Sequence, residues 1–103
     1  MAVVFHGVAI PRAQIERFCE TNHIHRLSLF GSVLTERFRP DSDLDMLVEF
    51  EPGAAITYLD LARMERELSE ILGRKVDLRT PEELSRYFRE RVVAEALPQY
   101  ERK

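Results

Sequence analysis

Apolar positions along the 103-residue chain switch between two spacings, one near 3.6 residues and one near two. Between residues 11 and 22, Ile15, Phe18 and Cys19 recur at helical spacing, with Pro11 suited to a first turn, and a helix is expected there. "RLSLF" at 26–30 predicts a strand. After Gly31-Ser32 a short helix is expected over 33–38, ended by Pro40. "DLDMLVEF" at 43–50 predicts a second strand, closed by the turn residues Glu51, Pro52 and Gly53. Leu61, Met64, Leu68, Ile71 and Leu72 mark one face of a longer helix that Gly73 can terminate. "KVDLRT" at 75–80 predicts a third strand. Thr80-Pro81-Glu82-Glu83 has the Thr-x-x-Glu of a capping box, so a last helix is expected from there, with Leu84, Tyr87, Phe88 and Val92 in one stripe.

Helices interleaved with strands imply an α/β (α+β) fold, a small mixed three-stranded sheet flanked by helices. Only residues 33–42 separate Ser32 from Asp43, too few for a parallel crossover. The first two strands are therefore expected to run antiparallel, bringing Ser32 and Asp43 to one end of the sheet.

Composition narrows the class. With 45% hydrophobic and 32% charged residues, the chain suits one domain over 1–103, and there is no room for a second core. A net charge of −3 gives no reason to expect direct nucleic-acid binding. No apolar stretch is long enough for a bilayer and no signal-peptide pattern occurs, so the expectation is a cytoplasmic protein without membrane contact. The single cysteine, Cys19, cannot form an internal disulfide, and its place on an apolar helix face suggests an inert thiol.

The chemistry is concentrated in residues 29–50. On a strand, Asp43 and Asp45 project together while Leu44, Met46 and Val48 face the core. Two carboxylates aimed at one spot repel unless a cation lies between them, and oxygen ligands suit magnesium. Asp41, beside Pro40, reads as a solvated turn acid; Asp45, inside an apolar run, does not. A calcium loop fails, because its required glycine is Met46 and its twelfth-position glutamate falls on Pro52. Gly31 and Ser32 offer a close backbone approach and, with a following helix, N–H groups for phosphate oxygens. Neither of the two common phosphate-loop patterns is present. Arg39 and Arg37 lie between the halves of the motif and could reach a triphosphate; for Arg37 simple solvation is the better reading. His6, His23 and His25 show no ligand spacing. Asp77, between Val76 and Leu78 on the third strand, could be no more than an ion-pair partner of Lys75 or Arg79.

Gly31-Ser32, ten residues, then Asp43-x-Asp45 on a hydrophobic strand resembles the signature of the DNA polymerase β-type nucleotidyltransferase superfamily. With "RPDSDLDMLVEF" and "GRKVDLRT" the chain resembles the minimal nucleotidyltransferases (MNT proteins) encoded beside HEPN-domain toxins, over almost its whole length. The resemblance implies the nucleotidyltransferase fold, with Gly31 and Ser32 holding ATP. It implies Asp43, Asp45 and Asp77 as ligands of two Mg2+ ions, Asp77 also activating the attacking hydroxyl. The implied activity is an antitoxin's: AMP passes from ATP to a tyrosine hydroxyl of a cognate HEPN ribonuclease toxin and pyrophosphate leaves. Masking the toxin by binding alone, or transfer to another acceptor, are the alternatives. Contacts with the partner, or between copies in a homo-oligomer, are expected near Tyr87, Phe88 and Tyr100.

Overall fold

The computed structural model describes residues 2–5, 8–39 and 41–102, the first of these as backbone. His6 and Pro40, and with Pro40 the expected end of the short helix, lie outside the described residues. The elements are β1 (Ala2–Phe5), β2 (Val8–Pro11), α1 (Arg12–Thr21), β3 (Ile24–Leu29), β4 (Leu44–Phe50), α2 (Tyr58–Leu72), β5 (Val76–Arg79), α3 (Arg86–Glu95) and β6 (Leu97–Glu101). The main sheet has the order β5-β4-β3-β6, parallel between β4 and β5 and antiparallel elsewhere. β1 and β2 form a separate antiparallel ribbon.

The expected antiparallel first pair is present, with Leu29 opposite Met46. The sheet has four strands, however, not three. β6 escaped the pattern because Pro98 interrupts it and Gln99 and Glu101 are polar, yet an edge strand tolerates proline, which has no N–H to donate. The β1–β2 ribbon was likewise not anticipated.

Helix α1 buries Ile15, Phe18 and Cys19, and α2 buries Met64 and Leu68, both against the face of the sheet that carries Leu44, Met46 and Val48. Two local devices set the limits of α2. Thr57 and Asp60 cap its start reciprocally, and Gly73, at φ 68, ends it in the left-handed conformation. The buried Cys19 thiol is pushed up to about 12 by burial and by Glu20, so it stays protonated and inert.

Two helices differ from expectation. The segment after Phe30 is a single 3-10 turn, Gly31–Leu34, two residues earlier and shorter than the helix over 33–38. Thr35 explains the stop: its N–H and its hydroxyl both donate to the Ser32 carbonyl, at 2.9 and 2.8 Å, closing the chain at i+3. The last helix begins at Arg86, not Thr80. Glu83 does reach back to Thr80 N–H at 3.2 Å, but it caps only the 3-10 turn Pro81–Glu83, and extended Leu84 separates that turn from α3. α3 buries no residue; Tyr87 and Phe88 stay 81% and 60% exposed. Tyr100 is partly buried against the core. Among the described residues no helix is long and apolar enough to cross a membrane.

Candidate active site

The face of the sheet opposite α1 and α2 carries the acids. Asp45 lies near the start of β4, and the parallel register sets it directly beside Asp77 of β5, at the usual strand spacing of about 4.8 Å. Asp43 stands two residues earlier. The Asp45 carboxyl is held above the usual carboxylate range by burial first, then by the negative charges of Asp77 and Asp43; Arg79 and the Ser32 N–H, which donates to it, pull the other way.

Gly31 closes the other side. The Phe30 N–H donates to the Asp45 carbonyl at 3.1 Å, which fixes the 3-10 turn against β4. Gly31 then takes φ +79, and a Cβ there would lie 2.5 Å from Asp45 Oδ2. Glycine is needed at this position for both reasons. A four-residue turn has no helix dipole to offer phosphate; what Gly31-Ser32 contributes is backbone laid directly on the Asp45 carboxylate. Beside Gly31 opens a cleft of about 520 Å3 lined by Phe30, Leu34 and Thr35 on one wall and Val92 and Glu95 of α3 on the other.

The sequence-predicted residues are thus only partly gathered. Asp43, Asp45, Asp77, Gly31 and Ser32 come together. Arg39 is exposed, and its backbone, not its side chain, is what the structure holds: its N–H donates to Ser42 Oγ at 3.0 Å. No hydrogen bond or ion pair among the described residues joins its guanidinium to the carboxylates. Two cations that sequence reasoning left out of the site are in it. Lys75 Nζ is 3.6 Å from Asp43 Oδ2, and Arg79 is 3.4 Å from Asp77 Oδ1 and 3.7 Å from Glu83. The readable signal was their spacing, two residues on either side of Asp77 and therefore on its face of the strand.

The donor set is anionic oxygen, the chemistry that magnesium takes. Among the described residues no group of three or more His, Cys, Asp or Glu side chains is gathered in metal-holding geometry. Lys75 and Arg79 balance two of the three charges instead, and a cation would have to compete with them.

Because the folded Asp45 binds its proton more tightly than the unfolded one, its contribution to stability is present below the ordinary carboxylate range and is lost as pH rises through the raised pKa. In chelator, Asp45→Asn should therefore match the parent at low pH and become the more stable of the two as pH rises toward neutral. Denaturant titrations of both proteins from pH 4 to 7 check this, and a difference that shrinks with rising pH would refute it.

Comparison with known proteins bears on the family and the fold. A family model described as nucleotidyltransferase domain matches residues 12–99. A relative from Methanocaldococcus jannaschii, "Putative protein adenylyltransferase MJ0435", is 38% identical over 74 residues, which is 72% of this chain and 77% of the relative. The solved structure of a "putative minimal nucleotidyltransferase" superposes with a TM-score of 0.70 at 40% identity, covering 84% of this chain and 87% of that one. A tri-AMPylated Shewanella oneidensis HEPN toxin in complex with MNT antitoxin matches with a TM-score of 0.62 at 19% identity, over 88% of this chain and 70% of that one, a likeness of fold.

Proposed function

We propose that this chain, which belongs to the nucleotidyltransferase domain family, is an antitoxin that transfers AMP from ATP to a tyrosine hydroxyl of a cognate HEPN toxin. The observation that carries the reading is the Asp45–Asp77 register pair with Gly31-Ser32 closed onto it. A binding module has no use for Asp77 and Asp43 placed near enough to Asp45 to raise its pKa.

In this reading Asp43, Asp45 and Asp77 hold divalent magnesium, two ions by the number of carboxylates. Bound there, the metal supplies charge stabilisation to both the attacking and the leaving oxygen of an in-line displacement. Gly31 and Ser32 present backbone to the triphosphate, and the cleft toward Val92 and Glu95 receives the nucleoside. Asp77 orients the acceptor hydroxyl and takes its proton. The tyrosine oxygen then bonds to the α-phosphorus, the bond to the β-phosphate oxygen breaks, and pyrophosphate carries away the electron pair. Alignment and charge account for most of the acceleration in such transfers, so one small domain over 1–103 suffices. The relative's name and the AMPylated toxin bound to an MNT antitoxin support the acceptor class.

The acceptor is a folded protein, and α3 is the face it meets: Tyr87 and Phe88 are exposed on the helix whose Val92 and Glu95 border the cleft. That same face supports the second reading, in which binding alone masks the toxin, and it is the face through which copies would self-associate. The setting proposed is the cytoplasm, with nucleic acid having no direct part.

Incubation with labelled ATP, magnesium and the cognate toxin decides between the readings. Label is expected on toxin tyrosine, and its absence from a neutralised toxin would favour masking. By calorimetry, ATP affinity is expected to rise on adding magnesium; equal affinity in excess chelator would count against the carboxylates as its anchor.

A further inference from the structure

Residues 35–43 connect the Gly31–Leu34 turn to Asp43, and among their described residues there is no helix or strand. A segment without its own ladder needs outside contacts to fix the acid at its end. Arg74 provides them. Gly73 turns the chain out of α2, the Arg74 N–H donates back to Ser69 at 3.2 Å, and its side chain is sent across the loop. There Nη2 donates to the Arg39 carbonyl at 3.2 Å and to the Ser42 carbonyl at 2.8 Å, and the guanidinium carbon lies 4.5 Å from the centroid of the Phe38 ring.

The next residue continues the hold. The Lys75 carbonyl accepts from Leu44 N–H at 2.9 Å, and its ammonium faces the Asp43 carboxylate. Asp43 is thus fixed from the carbonyl before it, from the amide after it and at its own oxygens, all by residues 74 and 75.

We propose that Arg74 is a positioning residue of the transfer reaction, setting Asp43 against Asp45 and Asp77 by tying down the Ser42 carbonyl and the Phe38 ring. It acts through Asp43 and touches no reacting atom. Its kinetic part rests on the function proposed above. Arginine is required, because one planar group stacks on the ring while donating in its own plane, which a lysine ammonium does not reproduce.

Arg74→Lys and Arg74→Met in the full chain test this. In metal-free protein, hydrogen exchange should quicken at the Phe38 and Ser42 amides and stay unchanged in β3 and β4. Mn2+ affinity of the toxin-free chain, by calorimetry, should weaken about 10–100-fold, the range for residues that orient metal ligands. With toxin and Mg-ATP, kcat should fall by a similar factor while KM for ATP holds within about twofold, and lysine should not rescue. Wild-type exchange in 35–43 with wild-type Mn2+ affinity would overturn the proposal, as would full rescue by lysine. Loss of protection throughout the sheet in both variants would also overturn it, because Arg74 would then serve the whole fold. If the parent chain transfers no nucleotide, the transfer reading fails while the exchange arm still decides on Arg74.

Discussion

Asp45→Asn is expected to slow AMP transfer by about 10²–10⁴-fold while the metal-free melting temperature holds or rises. Asparagine keeps the size of the side chain and an oxygen that can accept from Ser32 N–H, but removes the charge that a magnesium ion requires. Losing one ligand from a two-metal site costs several kcal/mol of transition-state stabilisation, and each 1.4 kcal/mol is about tenfold in rate. The same change removes a half-buried charge from between Asp43 and Asp77, so the apo fold is not weakened by it. Asp43→Asn should follow in rate with less effect on stability, because Asp43 and its partner Lys75 are both well exposed and such pairs contribute little. Both variants should still capture the toxin, since α3 lies outside the substitution. Labelling of toxin at the parent rate by either one would remove that residue from the metal site.

Much of the site was readable because its spacing is short-range. Asp43, one residue before β4, and Asp45 lie two apart, the period of a strand. The antiparallel pairing of β3 with β4 was expected from the ten residues between Ser32 and Asp43, though residues 30–43 connect the two strands. Asp77 is different: nothing local distinguishes it from an ordinary partner of Arg79, which it also is, and only the parallel register of β4 with β5 puts it beside Asp45. Arg74 was unreadable for the same reason, since its partners are 32 and 35 residues away.

Elsewhere local signals competed and the weaker-looking one won. The Thr35 hydroxyl took the Ser32 carbonyl that a longer helix would have given to the chain, leaving one 3-10 turn. The capping box at Thr80 formed but capped three residues, because extended Leu84 ended the turn. The apolar stripe of α3 has helical spacing, which usually signals burial, yet Tyr87 and Phe88 stay 81% and 60% exposed among the described residues. An amphipathic pattern says that a face wants a partner; it does not say whether the partner is the same molecule.

Gly31→Ala is expected to impair both stability and transfer, and Gly53→Ala supplies the control that separates the two causes. Both glycines are in the left-handed region, at φ +79 and +85, where an L-residue costs about 1–2 kcal/mol. Around a Cβ on Gly53 there is nothing within 4 Å, so Gly53→Ala should show the backbone cost alone, a drop of several degrees in melting temperature, with parent activity. On Gly31 the same Cβ meets Asp45 Oδ2 at 2.5 Å, with the Cβ and Cγ of Asp45 at 3.3 Å. Either the Asp45 carboxylate rotates off the Ser32 N–H or the turn lifts from β4 and strains the Phe30 N–H bond to the Asp45 carbonyl. Each route moves a proposed metal ligand, and a misplacement of about 1 Å in such a site costs on the order of 10² in rate. Gly31→Ala should therefore melt below Gly53→Ala and label the toxin at least about a hundredfold more slowly than it. Equal melting temperatures together with equal labelling would mean that Gly31 is a turn glycine like Gly53, and that the close approach to Asp45 has no part in the chemistry.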